Sequence, residues 1–177
     1  MGGFIPPSLS FNPTTSINIE RLFDGVSSAA SQEPTTTGQA NSIQIEFGPA
    51  FGTASDPVSM DALGTITANQ AGTYRAKVAL QFGRSGSAGT SLLLFRVRVN
   101  DTQAGRSISS KLGNANEEQY FENDTWLTVP AGTTLKFDLM RDASGNDSGG
   151  LFAIVPTVEA GAWNDAPCSA IRIERWI

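Results

Sequence analysis

The 177-residue, 18.7 kDa chain has the size of one domain, and its 40% hydrophobic and 16% charged residues supply enough apolar material for a core. It has no histidine and a single cysteine, Cys168. That excludes an internal disulfide, a histidine-activated nucleophile and a histidine-held metal. A net charge of -5 and a pI near 4.6 argue against a nucleic-acid partner, which needs a basic face.

Residues 1–26 read as an apolar, charge-poor leader. Phe4, Ile5, Leu9, Phe11, Ile17, Ile19, Leu22 and Phe23 carry its hydrophobicity, and Pro6, Pro7 and Pro13 favour an extended course. Met1–Ser16 holds no lysine, no arginine and no long apolar run, so it does not read as a secretory signal. No apolar run is long enough to cross a bilayer, so no membrane partner is expected. Residues 27–42 (SSAASQEPTTTGQANS) are polar and read as a linker. An apolar arm ahead of such a spacer must cover its side chains somewhere. Its own domain, a sister subunit and a foreign partner all remain open on this ground.

From residue 43 the pattern turns to period two. Ile43, Ile45 and Phe47 alternate with Gln44 and Glu46. Tyr74, Ala76, Val78, Leu80 and Phe82 alternate with Arg75, Lys77, Ala79 and Gln81. Leu93, Phe95, Val97 and Val99 oppose Arg96 and Arg98, and Leu135, Phe137 and Leu139 oppose Lys136 and Asp138. Each run suits a strand with one buried face. Shorter strands are expected near residues 63–68, 103–109, 126–129 and 150–159, and a last one over residues 169–177. Glycine, Asn/Asp and serine clusters separate them, and no amphipathic helix stands out. The 43–177 segment therefore reads as an all-β sandwich or barrel. Trp176 and Ile177 at the end of the last strand imply that this end is docked.

The order of motifs resembles the complement/tumour-necrosis-factor-like jelly roll. Residues 65–82 (TITANQAGTYRAKVALQF) look like its strand, Gly-containing turn and aromatic-led strand. Residues 92–102 (LLLFRVRVNDT) resemble its middle strand ending in an Asn-containing hairpin turn. Residues 126–139 (WLTVPAGTTLKFDL) are similar to its strand, Ala-Gly turn and strand, and residues 169–177 (SAIRIERWI) to its closing strand. No Gly-X-Y stalk precedes the domain. A leading arm and an IRIERW-style ending look like jelly rolls carried by tailed bacteriophages on heads or fibres. The resemblance implies two sheets, a homotrimer, binding rather than catalysis, and a closing strand near the three-fold axis. Trp176 and Ile177 are then the implied trimer contacts.

Asp142 and Asp147, in a Gly-rich loop, supply oxygen ligands of the kind calcium takes, although a polar hairpin loop explains them equally. Glu117, Glu118, Glu122 and Asp124 crowd a stretch that reads as a turn beside Tyr120 and Phe121. Glycoside hydrolysis needs a spaced carboxylate pair, and a solvated loop or contact loop is the simpler account. Cys168 reads as a small buried hydrophobe and Trp163 as a cap on an open end of the sandwich. No catalytic residue and no cofactor is expected. The sequence thus suggests a structural protein on the outer surface of a virion, a capsid decoration or head-fibre protein. Its arm docks on the major capsid protein or another virion protein while a trimeric jelly roll projects. The alternative is a receptor- or glycan-binding module of a tail fibre or bacterial surface protein, acting through end loops.

Overall fold

The computed structural model describes residues 18–27, 29, 31–84, 89–154 and 164–177. Twelve strands are assigned: β1 (Ile19–Ser27), β2 (Ser31–Gln32), β3 (Ile43–Gln44), β4 (Val58–Met60), β5 (Ile66–Ala68), β6 (Gly72–Gly83), β7 (Ser91–Val99), β8 (Thr102–Leu112), β9 (Glu118–Val129), β10 (Thr133–Arg141), β11 (Gly150–Phe152) and β12 (Ser169–Trp176). A single 3-10 turn, Gln39–Asn41, is the one helical element among the described residues.

The strands form two six-stranded antiparallel sheets. In sheet A, β6 is central, with β9 on one side and β12 then β1 on the other, while β11 and β2 extend its far end. Sheet B runs β4-β5-β10-β7-β8, with β3 added to β10. Among the described strands, β4–β5 and β7–β8 are consecutive antiparallel neighbours within sheet B, whereas from β5 to β6, β6 to β7, β8 to β9 and β9 to β10 the chain crosses between sheets. This is a jelly roll. The β7–β8 turn is Asn100-Asp101, with both residues at positive φ (48° and 63°). That is the two-residue geometry whose twist matches a right-twisted hairpin.

The alternating runs put their apolar faces between the sheets. Phe82 and Phe121 from sheet A meet Phe95 from sheet B, with ring centroids 5.4 Å apart for Phe82–Phe121 and 5.5 Å for Phe95–Phe121. Phe137 then joins Phe95 to Phe47. Phe47, Phe95 and Phe137 are fully buried, as are Leu80, Leu93, Leu139 and Val78. Cys168 is also fully buried and free.

Two expectations about the N-terminal region change. Residues 19–26 are not part of a detached arm: β1 pairs along its whole length with β12, from Ile19 opposite Trp176 to Ser27 opposite Ser169. Phe23 points into the core and stacks on Phe51 at 4.2 Å. The 27–42 stretch is likewise no free linker. β2 pairs with β11, Pro34 is fully buried, and the Gln32 amide both donates to the Glu46 carbonyl (3.0 Å) and accepts from the Glu46 N–H (2.9 Å). The sandwich therefore includes Ile19–Ser27 and Ser31–Gln32, ahead of residue 43. A third change concerns residues 117–124, expected as a turn: Glu118–Val129 is a twelve-residue strand pairing with the full length of β6.

Candidate interaction face

The outer face of sheet A gathers most of the features that the sequence singles out. Period two turns Arg75, Lys77 and Ala79 of β6 outward, beside Glu122, Asp124 and Trp126 of β9 and Ala170, Arg172, Glu174 and Trp176 of β12. β1 adds Ile19, Arg21, Asp24 and Val26. Opposite charges then meet across strands. The Arg75 guanidinium donates from Nε to Asp124 Oδ1 at 3.0 Å and from Nη1 to Glu174 Oε2 at 3.2 Å. Lys77 Nζ lies 3.2 Å from Glu122, and Arg172 Nε donates to Asp24 at 2.8 Å. Arg75 also covers the Trp126 ring, 5.2 Å from its centroid, and Trp126 meets Trp176 edge-on at 4.9 Å.

These pairs set the ionisation of the face. The hydrogen bond from Arg75 holds Asp124 below the usual carboxylate range, and Asp124 in turn raises Arg75. The Tyr120 hydroxyl, then Lys77, lower Glu122, and the same hydrogen bond to Glu122 raises Tyr120. Charged pairs of this exposure contribute little stability each. What they do is fix a pattern of charge around an apolar centre.

That centre is a groove floored by the small residues Gly25, Ala79 and Ala170. One part, between β1 and β9, has a volume of about 370 Å³, and its continuation past Ala79 toward Tyr120 and Pro167 about 300 Å³. Val26, 57% exposed, and Tyr120, 65% exposed, line it, while Ile19 (52%) and Trp126 (44%) are exposed at the other end of the same face. An apolar patch rimmed by ordered charges is what a protein contact surface looks like.

The expected site residues are spread over this map. Ile19 faces outward on β1, Leu22 packs partly against the core at the bulge, and Phe23 is buried. Phe4, Ile5, Leu9, Phe11 and Ile17 lie outside the described residues, as does Trp163. Trp176 sits half-buried against Trp126, and Ile177, 65% exposed, donates its N–H to the Asn18 carbonyl at 3.0 Å. The two loop aspartates have separate partners. Asp142 accepts from Ser144 as an Asx turn, and Asp147 takes Arg141 Nη1 at 3.0 Å and the Thr36 hydroxyl at 2.9 Å. An arginine occupying a carboxylate is a poor neighbour for calcium. No group of three or more His, Cys, Asp or Glu suited to a metal ion occurs among the described residues.

Sequence reasoning missed Val26 and Tyr120 as parts of one face, because their strands were read as arm and loop. It also missed Ala79 and Ala170, which carry no chemistry and matter only as the floor between larger neighbours.

No family model matches the chain, and no curated protein matches it in sequence. Among solved structures it is similar in shape to an Eiger TNF from S. frugiperda, at 12% identity over 90% of this chain and 92% of that one, with a TM-score of 0.49. It is also similar to the globular domain of zebrafish complement 1qA protein, at 12% identity over 85% and 93% of the two chains, with a TM-score of 0.42.

Proposed function

We propose that this chain is a non-catalytic structural protein whose jelly roll, of the complement/tumour-necrosis-factor-like kind, assembles as a homotrimer through the outer face of sheet A. The observation that carries this reading is the groove floored by Gly25, Ala79 and Ala170 between the exposed Val26 and Tyr120, with Trp126 and Trp176 along the same face. In a three-fold ring each contact is heterologous, so one part of the face meets a different part of the next copy. The paired charges Arg75–Asp124, Lys77–Glu122 and Arg172–Asp24 offer both signs to that copy. Trp176 and Ile177, at the other end of β12 from Ala170, would extend this contact along the strand.

The chemistry on view suits binding. Among the described residues, every carboxylate displaced from its ordinary pKa moves down, namely Asp101, Glu117, Glu122, Asp124, Asp142 and Asp147. A glycosidase acid needs the opposite shift.

The setting of the trimer is the outer surface of a tailed-bacteriophage virion, on the strength of the sequence resemblance. With residues 19–26 committed to sheet A, the docking segment is the apolar stretch ahead of Asn18, with Phe4, Ile5, Leu9, Phe11 and Ile17 as its anchors on the major capsid protein. Deletion of residues 1–17 tests this directly by co-sedimentation with bare capsids. The full chain is expected to sediment with capsids, and the truncated chain to stay folded and remain in the supernatant. Equal occupancy by both chains would remove the docking role.

A further inference from the structure

We propose that the outer face of sheet B carries a binding site for a small hydroxylated carboxylate of the sugar-acid class, built where β8 bulges away from β7. The register along this hairpin places Phe95 opposite Ile108 and Val97 opposite Ala104, so residues 105–107 all stand opposite the single Arg96. Gly105, at φ +73° with open space around its Cα, makes the detour possible. The bulge forms one wall of a cavity of about 140 Å³, and the 3-10 turn with Ser42 forms the other. A cavity of roughly 150 Å³ accommodates one six-membered ring.

The charged residues lining this cavity are Arg96 and Asp138, and a wider network of ion pairs adjoins them. Asp138, only 3% exposed, is held by Arg98 through Nη2 (2.8 Å) and by Arg96 through Nε (2.8 Å). Lys136 and Arg98 share Asp101, at 2.8 and 3.0 Å. Arg98 thus shares Asp138 with Arg96, and Arg96 spends only Nε on it, so that Nη1 and Nη2 have no hydrogen-bond partner among the described residues. A guanidinium presenting two parallel N–H groups matches a carboxylate.

The remaining walls suit the rest of a sugar acid. Gln39, Ser42, Gln103 and Ser107 offer amide and hydroxyl groups, while Leu94 and Met140 supply an apolar floor for the C–H face of a ring. A neutral hydrocarbon would leave Nη1 and Nη2 of Arg96 without an acceptor, and a phosphate would leave the apolar floor uncovered. The site lies on the sheet opposite the groove of sheet A and stands independently of trimer formation.

The test is a titration of the full chain with D-galacturonate, followed by amide shifts of Arg96, Gln103 and Ser107 in NMR spectra, with D-galactose as the neutral control. Saturable shifts at these residues are expected, about tenfold weaker for galactose. Arg96→Gln leaves Asp138 on Arg98, and Ser107→Tyr fills the cavity without touching the ion pairs. Each is expected to weaken galacturonate binding by about tenfold or more. Absence of saturable shifts up to roughly 50 mM ligand overturns the proposal. So does equal binding of galactose, or binding that both variants leave unchanged.

Discussion

Glu117 illustrates how much of the polar order here is local. Its carboxylate accepts backbone N–H bonds from Asn114 at 2.9 Å and Gly113 at 2.5 Å, and those donors with Gln119 hold its pKa down. Asp147 is lowered by Arg141 and Thr36, Asp101 by Lys136, and Asp124 by Arg75. A carboxylate depressed in the folded state binds fewer protons there than in the unfolded chain. Stability contributed by these groups is therefore complete above the unfolded values of about 4 and is lost as pH falls through the lower folded values. With no histidine to titrate, the urea midpoint is expected to stay nearly level from about pH 6 to 8 and to drop below about pH 4. A steep change between about pH 6 and 8 would contradict this assignment. Such pairs were not visible in the sequence, since Glu33 and Arg141 stand 108 positions apart yet meet at 2.9 Å.

At the level of elements, the strands with clean alternation were legible and the two with interrupted alternation were not. β6, β7, β10 and β12 keep strict period two, so their faces could be assigned from residue order alone. In β1 a register shift between Arg21 and Phe23 inserts Leu22 and hides the period. In β9 the inward positions include Asn123 and Thr125, which satisfy one another at 2.7 Å and look like turn residues in the sequence. The 27–42 stretch failed for a related reason: its polarity is spent on partners such as Glu46 and Arg141 instead of water. Phe23→Ala separates the two views of β1. Loss of a core phenylalanine should lower the unfolding free energy by about 3 kcal/mol in urea. A solvent-facing arm would make the same substitution silent.

Across the whole molecule, the two outer surfaces divide the work. Sheet B adds β3 beside β10 and sets the 3-10 turn at the wall of a cavity on its outer face, with its charges gathered around Asp138. Among the described residues, nothing is laid over the outer face of sheet A, which has an alanine-floored groove and exposed Val26, Tyr120 and Trp126. The β-sandwich was accessible from the sequence because alternation and turn residues report its strands directly, but alternation does not report the order in which the strands pair. The interaction face was only half accessible, since it depends on which strands become neighbours: β1 and β9, far apart in the chain, flank the same groove. The account stands most directly on the mass of the full chain in solution, read by light scattering at micromolar concentration. The expected mass is three times 18.7 kDa, falling to 18.7 kDa for Ala170→Arg, which places a long cation on the groove floor. A wild-type mass of 18.7 kDa throughout, or a trimer indifferent to that substitution, would contradict it.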